Sequence, residues 1–81
     1  MAEHEIPLAP IDRIIHKAGA ARVSDEAVRA LRDLIEAVAM EIAREAVEAC
    51  KHAGRKTVSK EDVEFAVRRL YRPPGIFERK V

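Results

Sequence analysis

Residues 24–54, SDEAVRALRDLIEAVAMEIAREAVEACKHAG, read as one uninterrupted helix from Ser24 to Gly54. Ser24 is a natural N-cap, Asp25 and Glu26 put negative charge on the first turn, and Gly54 follows Lys51 and His52 as a helix-closing residue. Between these ends Ala27, Leu31, Leu34, Ile35, Val38, Ile42, Ala46 and Ala49 recur at helical spacing, and neither Gly nor Pro interrupts them. One face of the helix must therefore be buried.

Length decides what buries it. A helix over residues 25–53 is a rod of about 43 Å, whereas a chain of this size folds into a ball about 30 Å across. Val28, Ala39, Ala43 and Cys50 lie beside the main stripe, and in the second half the apolar surface widens further as Met40 and Val47 reach round. Two flanking helices cannot cover that surface. A second copy can, with the two long helices crossing near Ala39 and Ala43, whose small side chains allow close approach.

The 81 residues make one domain whose core is too small to be more than marginally stable alone, and pairing offsets that deficit. Trp is absent and Phe and Tyr are few, a composition that indicates an all-α protein. The single cysteine, Cys50, cannot form an internal disulfide. No signal peptide is visible, and no apolar run approaches the roughly 20 residues that span a bilayer. A soluble, intracellular, cytoplasmic protein is expected. Net charge is only +1, but its distribution is uneven. Residues 25–49 hold seven acids against three bases, or −4, which leaves +5 for the rest. Positive charge is thus concentrated off the long helix, where a polyanion can reach it.

Residues 1–5 are short and polar and are expected to fray. Pro10 suits the first turn of a short helix, with Ile11, Ile14, Ile15 and Ala18 inward and Gly19 at its end. A brief loop, 20–23, carries Arg22. After the long helix, Gly54-Arg55-Lys56-Thr57-Val58 forms a second tight loop with adjacent bases. Ser59-Lys60-Glu61-Asp62 is a capping-box pattern opening a third helix, with Val63, Ala66, Val67 and Leu70 inward and Phe65 at the edge of that stripe. Pro73-Pro74-Gly75 ends it. The domain is expected over 6–72, with a tail over 73–81 whose Ile76 and Phe77 dock on the dimer.

This order of short, long and short helices resembles the histone fold, and the residues resemble archaeal histones over about 6–70. The resemblance is carried by Pro7-Leu8-Ala9-Pro10, Arg13-Ile14-Ile15, Ala18-Gly19-Ala20, Arg22-Val23-Ser24 and His52-Ala53-Gly54-Arg55-Lys56-Thr57-Val58. Arg55-x-Thr57-x-x-x-x-Asp62 and Ala66-Val67-Arg68-Arg69 add to it. It implies two chains clasped head to tail, the loop at 20–23 of one beside the loop at 54–58 of the other. Arg22, Arg55, Lys56 and Thr57 would then cluster at each end of the dimer, with Arg13 and Lys17 of the first helices between them. Such patches bind phosphates by charge, hydroxyl and backbone N–H donors and read no base. Arg13 is the residue expected to enter the minor groove, sensing width rather than sequence.

Arg55 is expected to pair with Asp62 and support the loop, leaving Lys56 for phosphate. The resemblance also implies that dimers stack through Ala49, His52 and Asp62, His52 of one dimer meeting Asp62 of the next. That contact weakens as rising pH removes the imidazole charge. Gly19 would allow close approach of successive turns in a stacked filament. Ala49 stands where many archaeal histones carry Leu, a loss of apolar contact costing about 1–3 kcal/mol.

Glu45 falls inside the apolar stripe with no partner evident in the sequence. Either the stripe opens to solvent there or a base from the other chain reaches it. No metal or other cofactor is expected, since Cys50 and His52 point about 200° apart on a helix. No catalytic constellation is present. The expected function is to wrap and compact double-stranded DNA, largely independently of sequence, as a nucleoid-associated homodimer able to form tetramers or filaments, alone or with other histones. The alternative is a histone-fold heterodimerisation subunit of a protein complex.

Overall fold

The computed structural model describes residues 4–71. Three helices run along them, α1 (Leu8–Lys17), α2 (Asp25–His52) and α3 (Lys60–Leu70), with no strand among the described residues. The tail expected over 73–81 lies outside these residues.

Local chemistry sets each boundary. Pro7 is extended and precedes the first turn of α1, and Pro10 sits where a backbone N–H would have no helical partner. Ser24 caps α2 by accepting from the Ala27 N–H at 3.0 Å. Ser59 and Asp62 form the reciprocal box that opens α3: the Asp62 N–H donates to Ser59 Oγ, and the Ser59 N–H to Asp62 Oδ2 at 2.8 Å. The exits of α1 and α2 share one device. Gly19 donates to the His16 carbonyl and Ala20 to that of Ile15; Gly54 donates to the Lys51 carbonyl and Arg55 to that of Cys50. These nested bonds satisfy the last carbonyls and require a residue at positive φ, which Gly19 (117°) and Gly54 (72°) supply.

The chain divides into two compact units, one through Ala39 and one from Met40, with α2 continuous through both. In the first unit Ile11 of α1 and Val28 of α2 are buried. Residues 4–6 are held against α2: Glu36 accepts from the Ile6 N–H at 2.6 Å, from the Glu5 N–H, and from His4 Nδ1 at 2.8 Å. Buried Arg32 donates to the Ile6 carbonyl at 3.3 Å and to Asp33 at 2.8 Å. His4 and Glu5 belong to the segment expected to fray, yet their contacts to Glu36 tie them down.

In the second unit α3 lies along the last half of α2. Ala46 and Ala66 have no exposed surface, and Cys50 and Val67 are buried beside them. Small residues on both helices let the backbones approach closely. Glu45, whose partner the sequence left open, pairs with Arg69 of its own α3, and Tyr71 donates to Glu41 one turn earlier on α2. These two ties fix the exit of α3.

Neither unit buries a large side chain completely among the described residues, and Leu34 (60%), Ile14 (55%), Met40 (54%) and Phe65 (49%) are exposed. Burying one such side chain is worth about 1.5–3 kcal/mol, so a single chain leaves much of its hydrophobic stabilisation unused. Val63, assigned to the inward stripe of α3, is 39% exposed for the same reason. No helix among the described residues is long and apolar enough to cross a membrane.

Candidate nucleic-acid interface

The second loop is held at both ends. On the α2 side, the paired bonds around Gly54 fix the backbone up to Arg55. On the α3 side, Arg55 reaches forward to Asp62 through two parallel hydrogen bonds, Nη2 to Oδ1 at 2.7 Å and Nη1 to Oδ2 at 2.9 Å, and Nη1 also donates to the Thr57 carbonyl at 3.3 Å. Asp62 is buried and accepts from the Ser59 N–H and hydroxyl as well. These bonds, with that from Arg55 the strongest, outweigh burial and hold the Asp62 carboxyl well below the usual carboxylate range. The same pair raises the affinity of the Arg55 guanidinium for its proton.

The geometry leaves Lys56 and Thr57 exposed on a loop hydrogen-bonded at both flanks. A cation and a hydroxyl on a fixed backbone can grip a phosphate by charge and by directed hydrogen bonds, and neither discriminates among bases. Arg55 is largely committed to Asp62. In the first unit Arg13 and Lys17 are exposed one turn apart on one face of α1, and Arg22 is exposed in the first loop. At the exit of α1, His16 Nδ1 lies 3.0 Å from the Ala20 carbonyl and Nε2 lies 3.6 Å from Asp12, bracing the start of that loop.

Of the residues assigned to stacking, His52 is exposed and its Nε2 lies 3.3 Å from Glu48 of its own helix. Ala49 is half-buried beside it and Asp62 is engaged with Arg55 and Ser59. An added Cβ on Gly19 would meet nothing within 4 Å.

No sequence pattern marks the Glu36 strap, which joins residues about thirty apart (|i−j| = 30–32). Its carboxyl is lowered by His4 first and by the Ile6 N–H second. His4, Asp33 and Glu36 bring one potential ligand atom each within 4.8 Å of one another. Those atoms are engaged already, His4 with Glu36 and Asp33 with Arg32, and the cluster serves as a strap.

Residues 4–67 match the family described as histone-like transcription factor (CBF/NF-Y) and archaeal histone. One of the subunits of archaeal histone HAN1 from Thermococcus zilligii is 55% identical over 64 residues, covering 79% of this chain and 96% of that protein. Probable archaeal histone 3 of Methanocaldococcus jannaschii is 52% identical over 64 residues, with the same coverage of both chains. With its all-α order of short, long and short helices, this chain belongs to the archaeal histones, a family of DNA-binding chromatin proteins and not of enzymes.

Proposed function

We propose that the chain works as a head-to-tail homodimer that wraps double-stranded DNA through its phosphates, largely independently of sequence, in the nucleoid. The observation that carries this reading is the second loop, where Lys56 and Thr57 stand exposed on a backbone braced by Arg55 and Asp62. The exposed Leu34, Met40 and Val47 on α2 support pairing with a second copy, which would cover them. Arg13, Lys17 and Arg22 supply further phosphate contacts, with Arg13 entering the minor groove. Arg55 acts mainly through the loop it holds.

Dimers would assemble further through Ala49, His52 and Asp62, as tetramers or filaments, with Gly19 giving clearance between turns. The 6–72 region is the histone-fold domain in this reading, with 73–81 a tail. Nuclease digestion of long DNA bound by the protein tests wrapping and assembly together. A regular ladder of protected fragments is expected; one short fragment would mean that dimers wrap singly. No protection at low salt would sink the DNA reading.

A second reading rests on the relative from Thermococcus zilligii, whose name makes it one subunit of a histone. There the partner would be a different histone chain, and the protein a heterodimerisation subunit. Sedimentation of the purified chain separates the two: a stable dimer of the chain alone excludes an obligatory second partner.

A further inference from the structure

The strap on residues 4–6 gathers a donor set as well as hydrogen bonds. His4 Nδ1 lies 2.8 Å from Glu36 Oε1 and 3.6 Å from Asp33 Oδ1, and the three atoms all fall within 4.8 Å of one another. Among the described residues this is the one group in which three potential ligand atoms of His, Cys, Asp or Glu converge. His16 with Asp12 and His52 with Glu48 offer two each. No spacing in the sequence marks the group, because His4 lies 32 residues from Glu36.

Its geometry suits a cation. A metal held by nitrogen and oxygen at about 2.0–2.2 Å sets its ligand atoms about 3.0–3.5 Å apart, and the two distances from His4 bracket that range. Asp33 and Glu36 stand three positions apart on α2 and so share a face. Each carboxylate is also oriented from outside. Glu36 Oε2 accepts the Glu5 and Ile6 N–H groups, which turns Oε1 to His4, and Asp33 accepts from Nε of buried Arg32 at 2.8 Å. Outer partners of this kind hold first ligands in place in metal centres. Charge agrees with geometry. One base against two acids leaves the group net negative, and carboxylates this close repel until something positive lies between them.

We propose that His4, Asp33 and Glu36 form a binding site for a divalent transition cation of the zinc type, with His4 Nδ1 and one oxygen of each carboxylate as ligands and water completing the shell. Nδ1 faces two acceptors and so carries the ring proton; the cation takes that proton's place, and the proton goes to solvent. One imidazole with two carboxylates selects zinc, cobalt or nickel over magnesium and calcium, which take oxygen ligands. The bonds from the Glu5 and Ile6 amides to Oε2 remain, so the cation tightens the strap on α2. It also reverses the local charge from negative to positive.

The test uses the purified, untagged chain with zinc chloride and reads amide hydrogen exchange as a ratio with and without metal. Zinc is expected to slow exchange at Glu5 and Ile6 by at least about tenfold and to leave α3 amides unchanged, whereas magnesium at the same concentration alters neither. His4→Gln keeps an N–H donor for Glu36 but removes the imidazole, and Asp33→Asn keeps an acceptor for Arg32 but removes the charge. Both side chains are exposed, at 38% and 56%, and circular dichroism checks that helix content is unchanged. Each variant should need at least about tenfold more zinc for the same protection. Zinc protection at Glu5 and Ile6 that survives both substitutions would overturn the site. So would protection confined to the helix ends beside His16 and His52, or no protection at all. Equal protection by magnesium would remove His4 from the ligand set and the proposal with it.

Discussion

Arg55 and Asp62 are joined by two parallel hydrogen bonds of 2.7 and 2.9 Å, and the same carboxylate also accepts the Ser59 N–H that opens α3. One buried side chain thus anchors the second loop and caps the following helix. Because its folded carboxyl lies below the ordinary value of 3.8, its contribution to stability is complete above about pH 4 and is lost as pH falls towards the folded value. Melting temperature followed by circular dichroism between pH 2 and 7 should fall on the acid side. Asp62→Asn should melt lower at pH 7 and show a flatter acid limb. An unchanged acid limb in that variant would remove Asp62 from the account.

Glu36 predicts a local effect of the same sign. Its carboxyl is lowered by His4 and by the Ile6 N–H, so the strap on residues 4–6 holds above the ordinary value of 4.5 and loosens below it. Glu36→Gln should speed hydrogen exchange at the Glu5 and Ile6 amides while leaving α3 amides unchanged. Equal protection in both proteins would show that the strap does not persist in solution.

Gly54 tests conformation apart from packing, since an added Cβ would meet nothing within 4 Å and only φ = 72° opposes it. Gly54→Ala should cost about 1–2 kcal/mol in denaturant unfolding, and Gly54→Asn less, because Asn tolerates this region. Gly19, at 117°, lies away from the left-handed helical basin, so Asn should give no such relief there. Equal costs for Ala and Asn at Gly54 would contradict this.

These elements differ in how far they could be read from the sequence. The capping box of Ser59 and Asp62, the Gly54 exit and the pairing of Arg55 with Asp62 are local, so spacing carries them. Glu45 with Arg69 and Glu36 with residues 4–6 join distant parts of the chain, and nothing local marks them. Periodicity shows that Leu34 and Val63 lie on apolar faces, but it does not say whether the chain's own helices cover them. They are exposed because the cover is not in this chain's fold. Among the candidate DNA contacts, residue type, loop position and the division of roles between Arg55 and Lys56 were legible; that Arg55 also donates to the Thr57 carbonyl required side-chain geometry.

Lys56→Ala and Arg13→Ala each remove one phosphate contact per chain on the proposed reading. In a dimer each should reduce the log–log salt slope of DNA binding by about 2, and equally for unrelated DNA sequences. A slope unchanged by both would take these residues out of the interface.

If the exposed face of α2 is covered by a second copy, melting depends on protein concentration. A hundredfold increase is worth about 2.7 kcal/mol of apparent stability, or several degrees. A melting temperature constant over that range would mean that the chain folds alone.

The exposure of Leu34, Met40 and Val47 also bears on how much of this protein a cell can keep. On the proposed pairing, a copy without a partner would show its apolar face to proteases and chaperones, which act on chains with exposed hydrophobic surface. Surplus chains would then be cleared and paired ones spared, so the steady-state level would follow pairing as well as synthesis, and supply would be self-limiting without a dedicated regulator.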